Sequence, residues 1–146
     1  MMSASINERR QNTNQMVEEL LEERRQVWSL YCAIAGMKPF TVEQPLESKI
    51  QEFCQLLIDY ISLGHFGIYQ RIIDGTERRR KVLQLAENIY PRIAETTDMA
   101  VDFNDKYETL TGDKIRTHLE NDLSKLGEEL AMRIELEDQL ISTMIA

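Results

Sequence analysis

The stretch ISLGHFGIYQRIIDG, Ile61–Gly75, decides how this chain is read. The residues before it are plainly helical. Leu46, Ile50, Phe53, Cys54, Leu57, Ile58 and Ile61 recur at three- and four-residue steps, the period of a buried helix face. Inside it, Phe66, Ile68, Tyr69, Ile72 and Ile73 continue the pattern until Asp74–Gly75 breaks it. Yet Gly64 and Gly67 interrupt the same segment, and each glycine within a helix costs about 1 kcal/mol relative to alanine. They flank Phe66 and His65, one of only 2 histidines. Glycine permits close backbone approach, so the pair is expected to lower the surface around Phe66.

Working outward, the rest of the chain has the same character. Val17, Leu20, Leu21, Val27, Trp28, Tyr31 and Ile34 predict a first helix from Thr13 or Asn14 to about Ile34, with Glu18–Arg25 on its wet side. Gly36 and Pro39 stop it, and Pro45 closes the following loop at the next helix start. Thr76 is placed to cap a third helix, with Val82, Leu85, Ala86 and Ile89 inward. Pro91 falls inside that pattern, which resumes at Ile93, Ala94 and Thr97. It therefore kinks one long helix or starts a new one, and the lack of a polar loop favours the kink. TLTGDK is the next break. The last helix is predicted from Asp113 to Met144, with a stripe through Ile115, Leu119, Leu123, Leu126, Leu130, Ile134, Leu140, Ile141 and Met144. The fold class is all-α, a single-domain up-and-down bundle of four to six helices over residues 1–146. Only 3 prolines and 6 glycines agree with long helices.

Charge and chemistry narrow the function. The net charge is −8, and residues 94–146 hold all of it, with 13 acids against 5 bases. A nucleic-acid binder usually carries the opposite sign, whereas an acidic surface steers basic protein partners. The basic run Glu77–Lys81 points all round a helix axis and reads as a solvated helix start. Neither His65 nor His118 has a glutamate three residues before it, so the di-metal bundle motif is missing and no metal site is expected. Cys32 and Cys54 form no CxxC and read as reduced, buried thiols of a cytoplasmic protein. The N-terminal segment lacks the apolar core of a signal peptide, and no apolar run reaches 18 residues. With no phosphate-binding or nucleophile motif, neither an enzyme nor a cofactor is expected. A histidine phosphotransfer bundle could use His65, but HFGIYQR lacks the lysine that assists the phosphate in such domains.

A binding surface remains. Asp59, Ser62 and Phe66 lie at i, i+3 and i+7 and share one face of the second helix. Exposed, this is an aromatic anchor among polar groups. Buried, Phe66 is core and Gly64 merely ends a helix. His65 is either a neighbouring contact or an inward hydrogen-bonding group.

The segment EFCQLLIDYISLGHFGIYQRI, Glu52–Ile72, closely resembles the signature region of the Rsd/AlgQ family, bacterial anti-sigma proteins that regulate sigma D. AGMKP (Ala35–Pro39), IYPRI (Ile89–Ile93) and LGEELAMRIELEDQLI (Leu126–Ile141) extend the resemblance in order along the chain. It implies a helical bundle that binds region four of the primary sigma factor, keeping it from core RNA polymerase and promoters, often in stationary phase. Carried over by position, the sigma-contacting residues are Asp59, Ser62 and Phe66, with His65 and Tyr69 as neighbours. The acidic C-terminal helix is expected to join Asp59 in meeting basic residues of sigma. The alternative is a cytosolic adaptor that offers the same patch to another regulatory protein, such as a carrier protein or metabolic enzyme. The segment before Met16 and the link DGTERRRK match the family poorly.

Overall fold

Each apolar stripe is too wide to leave in water, and the stripes close on one another as helices. The computed structural model describes residues 2–41, 44–73, 75 and 77–145. Helix α1 spans Met2–Ala35 and α2 spans Leu46–Gly64. A π-helical turn, His65–Tyr69, follows α2 directly and leads into the short α3, Gln70–Ile73. Helices α4, Arg80–Thr109, and α5, Asp113–Ile145, complete the chain. The fold is all-α, with four long helices.

Helix α1 packs on α2 and α5, and α4 packs on the same two, so α2 and α5 face each other across the core. Neighbours run antiparallel. Gly67 meets Met16 and Gly64 meets Leu20, while Phe53 meets Tyr31 further along. Likewise Arg24 pairs with Asp138, and Tyr31 donates to the Leu123 carbonyl at 2.7 Å. Leu20, Ile34, Phe53, Leu57, Tyr60, Ala100, Leu119 and Leu140 are fully buried between the four.

Three differences from the sequence reading have physical causes. Helix α1 begins at Met2, not near Thr13. Extending a helix already nucleated is cheap, and the upstream residues include good helix formers. Thr13 lies within the helix and is buried, and its hydroxyl accepts from both terminal nitrogens of Arg71 at 3.3 Å. Helix α4 begins at Arg80; the proposed cap Thr76 lies outside the described residues, as do Asp74 of the DG break and the side chain of Ile73. Glu77 is buried and binds the Arg79 backbone and side chain, and Arg79 also donates to the Met144 carbonyl. Arg78, Arg80 and Lys81 are exposed, as expected of a solvated helix start. Cys32 is exposed rather than buried. Its position falls just outside the Trp28–Tyr31–Ile34 stripe. Cys54 is buried, and burial pushes its thiol up to about 12.

Pro91 does not end α4, which runs through it. Its side is exposed, so water can reach the carbonyl one turn earlier that loses its donor. Gly112 provides the left-handed turn, at φ 59°, that lets α5 start directly after α4. No helix among the described residues is long and apolar enough to cross a membrane.

Outside the signature region, Gly127 of α5 makes room for the Tyr31 ring of α1. A methyl there would meet the Tyr31 hydroxyl and lie 2.8 Å from its Cζ. Gly127→Ala is expected to displace Tyr31 from the Leu123 carbonyl and cost about 1–3 kcal/mol. Thermal unfolding followed by circular dichroism checks this: an unchanged midpoint would mean that Tyr31 swings aside freely.

Candidate protein-binding groove

Helical spacing puts Asp59, Ser62 and Phe66 on the outer face of α2 and the π turn, as expected. Asp59 is exposed and accepts from Gln55 Nε2 at 2.9 Å. Ser62 is half-buried, and Phe66 is 68% exposed, more than any other large hydrophobic residue described. The reading in which Phe66 belongs to the core is excluded. His65 is half-buried, its ring edge-on to Phe66 with centroids 5.0 Å apart. Its side chain makes no hydrogen bond among the described residues, so it is a neighbour of Phe66 rather than an inward donor.

Tyr69 departs from the expected face. It is 2% exposed and lies 5.9 Å, ring to ring, from Tyr90 of α4. Three residues after Phe66, it would stand near the same face in an uninterrupted α-helix. The π turn holds one more residue than an α-helical turn and rotates the residues after it. Tyr69 is thereby carried inward while Phe66 stays outside.

The glycines have a different use from the one expected. They do not lower the surface around Phe66; both face inward. A methyl on Gly67 would sit 2.8 Å from Met16 Sδ, and one on Gly64 would sit 3.7 Å from Leu20 Cδ1 and 3.4 Å from Arg133 Nη2. They let α1 and a buried guanidinium approach the α2 backbone.

That approach shapes a groove of about 680 Å³ between α1 and α2. Asp59, Ser62, Leu63 and Phe66 form one wall. Glu18, Glu19, Glu22, Glu23 and Gln26 of α1 form the other. Glu22 is chelated by Arg25 at 2.6 and 3.0 Å, which holds its carboxyl down at about 2. Glu18, Glu19 and Glu23 have no cationic partner among the described residues. This wall was missed in the sequence, where Glu18–Arg25 read as solvated. Its signal was the repeat of like charges at i, i+4, Glu18–Glu22 and Glu19–Glu23, which costs helix stability unless cations arrive from elsewhere. The acidity beside Phe66 therefore comes from α1, and no residue of α5 lines the groove.

Beneath the groove lies a buried charge network that interrupts the apolar stripe of α5. Arg133 and Glu137 are 1% and 0% exposed. Arg133 Nε donates to Glu137 Oε2 at 3.0 Å, and its Nη1 donates to Thr96 and Thr97 of α4 at 3.2 and 2.8 Å. Tyr60 of α2 donates a short hydrogen bond to Glu137 Oε1, and Arg133 stands 5.6 Å from the centre of the Tyr60 ring. Arg24 of α1 lies 3.7 Å from Glu137 and 2.8 Å from Asp138. Burial disfavours the Arg133 charge, but Glu137, Tyr60 and Tyr69 together outweigh it and raise the pKa. Burial, then the Glu137 charge, raise Tyr60 well above the usual phenol range. Among the described residues, no group of three or more His, Cys, Asp or Glu could hold a metal ion.

A sequence-family model described as regulator of RNA polymerase sigma(70) subunit, Rsd/AlgQ, matches residues 1–145. The chain belongs to the Rsd/AlgQ family. It is similar to the regulator of sigma D of Yersinia enterocolitica, 35% identical over 141 residues that cover 94% of this chain and 84% of that one. The protein of the same name from Yersinia pestis is 34% identical over 141 residues, 94% and 83% of the two chains. That from Salmonella paratyphi A is 34% identical over 140 residues, 94% and 86%. This Rsd/AlgQ member is thus one of a family of sigma-factor regulators, and its segment Glu52–Ile72 carries the groove's Phe66 wall.

The network yields a graded expectation. Glu137→Ala leaves the Arg133 charge buried without its main partner and is expected to cost about 3–5 kcal/mol. Thr97→Val removes one hydrogen bond and is expected to cost about 1–3 kcal/mol. Urea unfolding of both variants checks the ranking; equal losses would mean that Glu137 is not the centre of the network.

Proposed function

We propose that this protein is an anti-sigma factor that holds region four of the primary sigma factor in the groove between α1 and α2. Phe66 carries the reading: a phenyl ring left 68% in water at the rim of a groove walled by carboxylates. Such a ring forgoes the roughly 1.5–3 kcal/mol that full burial of a large apolar side chain gives, and a partner with an apolar pocket would restore it. Region four, as a promoter-reading helix-turn-helix, offers basic residues to Asp59, Glu18, Glu19 and Glu23. Ser62 supplies a hydroxyl at the centre of the patch, His65 flanks Phe66, and Tyr69 supports the turn from inside. Occupying region four keeps sigma from core polymerase and from promoters, in the cytoplasm and without catalysis.

Calorimetric titration with the isolated region-four domain tests this. Saturable binding is expected, with Phe66→Ala costing about 2 kcal/mol or more. Asp59→Ala is expected to weaken it less, and Val101→Ala, exposed on α4, not at all. Association is expected to slow as salt rises, and Glu19→Gln with Glu23→Gln to flatten that dependence. Binding indifferent to Phe66 and Asp59, or a flat salt response in the unaltered protein, would move the partner away from this groove.

A further inference from the structure

We propose that Arg133 and Glu137, although buried and out of reach of any partner, are positioning residues that set the direction of Phe66. The turn that carries Phe66 starts against this pair and ends in a buried tyrosine. Before it, Tyr60 is hydrogen-bonded to Glu137. At its start, the Gly64 backbone lies against the pair; a methyl there would sit 3.4 Å from Arg133 Nη2 and 3.7 Å from Glu137 Oε2. At its end, Tyr69 is buried in the field of the same two charges, and its hydroxyl has no hydrogen-bond partner. Tyr60, Gly64 and Tyr69 thus line one inner track along the network, four and then five residues apart. The five-residue step is the π turn, and Phe66 lies within it.

A π turn is rare and poorly stable on its own. Here the guanidinium lies in van der Waals contact with the place where a side chain at position 64 would begin, and Tyr69 fills the inner position that the wider turn provides. Loss of the pair's geometry leaves the segment free to wind as a plain α-helix. That would turn Tyr69 toward the surface and rotate Phe66 away from the α1 carboxylates. The pair therefore acts through Phe66 and not through contact with the partner.

The test uses the full chain with fluorine-labelled phenylalanine. Phe66 is one of 4 phenylalanines, and its resonance is identified by its loss in Phe66→Leu. Arg133→Lys keeps the charge but loses the guanidinium fork, and Gly64→Ala places a methyl in contact with it. Both are expected to shift the Phe66 resonance. Leu119→Ala, a cavity variant elsewhere in the core, is expected to leave it in place. A Phe66 resonance unmoved in both Arg133→Lys and Gly64→Ala overturns the proposal, and this arm needs no partner. The binding arm rests on the groove reading above. Arg133→Lys is expected to weaken region-four binding about fivefold, and the effect is expected to fall within about twofold when Phe66 is already alanine. The same loss in both backgrounds would make Arg133 a general core residue and overturn the proposal. Absence of region-four binding by the unaltered protein would remove the sigma reading alone, leaving the fluorine result to decide the positioning. Should Arg133→Lys not fold, Glu137→Gln with Gly64→Ala carries both arms.

Discussion

Two opposite charges sealed inside a helical bundle govern this structure. Arg133 and Glu137 stand where the α5 stripe calls for apolar side chains, and removing two ions from water costs several kcal/mol each. A buried ion pair is weak evidence for added stability, since a hydrophobic pair of similar volume often does as well. What distinguishes this one is its reach. Glu137 takes Tyr60 from α2 and Arg24 from α1, while Arg133 takes Thr96 and Thr97 from α4. Each long helix is thereby tied to α5 at one height, and sliding any of them by a turn would strand a charge. Apolar packing alone tolerates such slips far better.

The fold was largely legible because its signals were local. Pro45 and Gly112 marked helix boundaries by their backbone constraints, and the α5 stripe named nearly all of its buried apolar residues. Pro91 was legible too, because no polar loop surrounds it. The errors lie where the answer depended on a distant residue. Thr13 reads as the start of the first helix until Arg71 appears beside it, 58 positions later. Tyr69 enters as a neighbour of Phe66 through the family resemblance, and nothing local announces the wider turn that buries it. Arg133 and Glu137, four apart like any helix-surface pair, fall outside the apolar residues of the α5 stripe, and their partners are on three other helices.

The candidate site was half legible for the same reason. Asp59, Ser62 and Phe66 share one helix face, so spacing suffices to group them. The opposing wall needs the antiparallel register of α1 on α2, which places Glu18–Glu23 alongside Ser62–Phe66 only after Gly64 and Gly67 let the backbones close. The net charge misdirected the reading. The C-terminal segment holds the excess acid, but its carboxylates either pair with neighbouring helices, as Glu129 does with Arg92 and Asp122 with Lys106, or lie away from the groove. Local arrangement, not total charge, gives the surface by Phe66 its sign.

The order of the helices along the chain adds a temporal consequence. Every residue of the groove belongs to α1, α2 or the π turn, all made before residue 70. The pair against which the turn starts arrives some sixty positions later, on α5. During synthesis, domains generally fold as units. A growing chain therefore exposes Phe66 and the glutamates of α1 before Arg133 and Glu137 leave the ribosome. With Phe66 set by that pair, competence to capture a partner is deferred to the final helix, and an unfinished chain would carry the binding residues without the means to aim them.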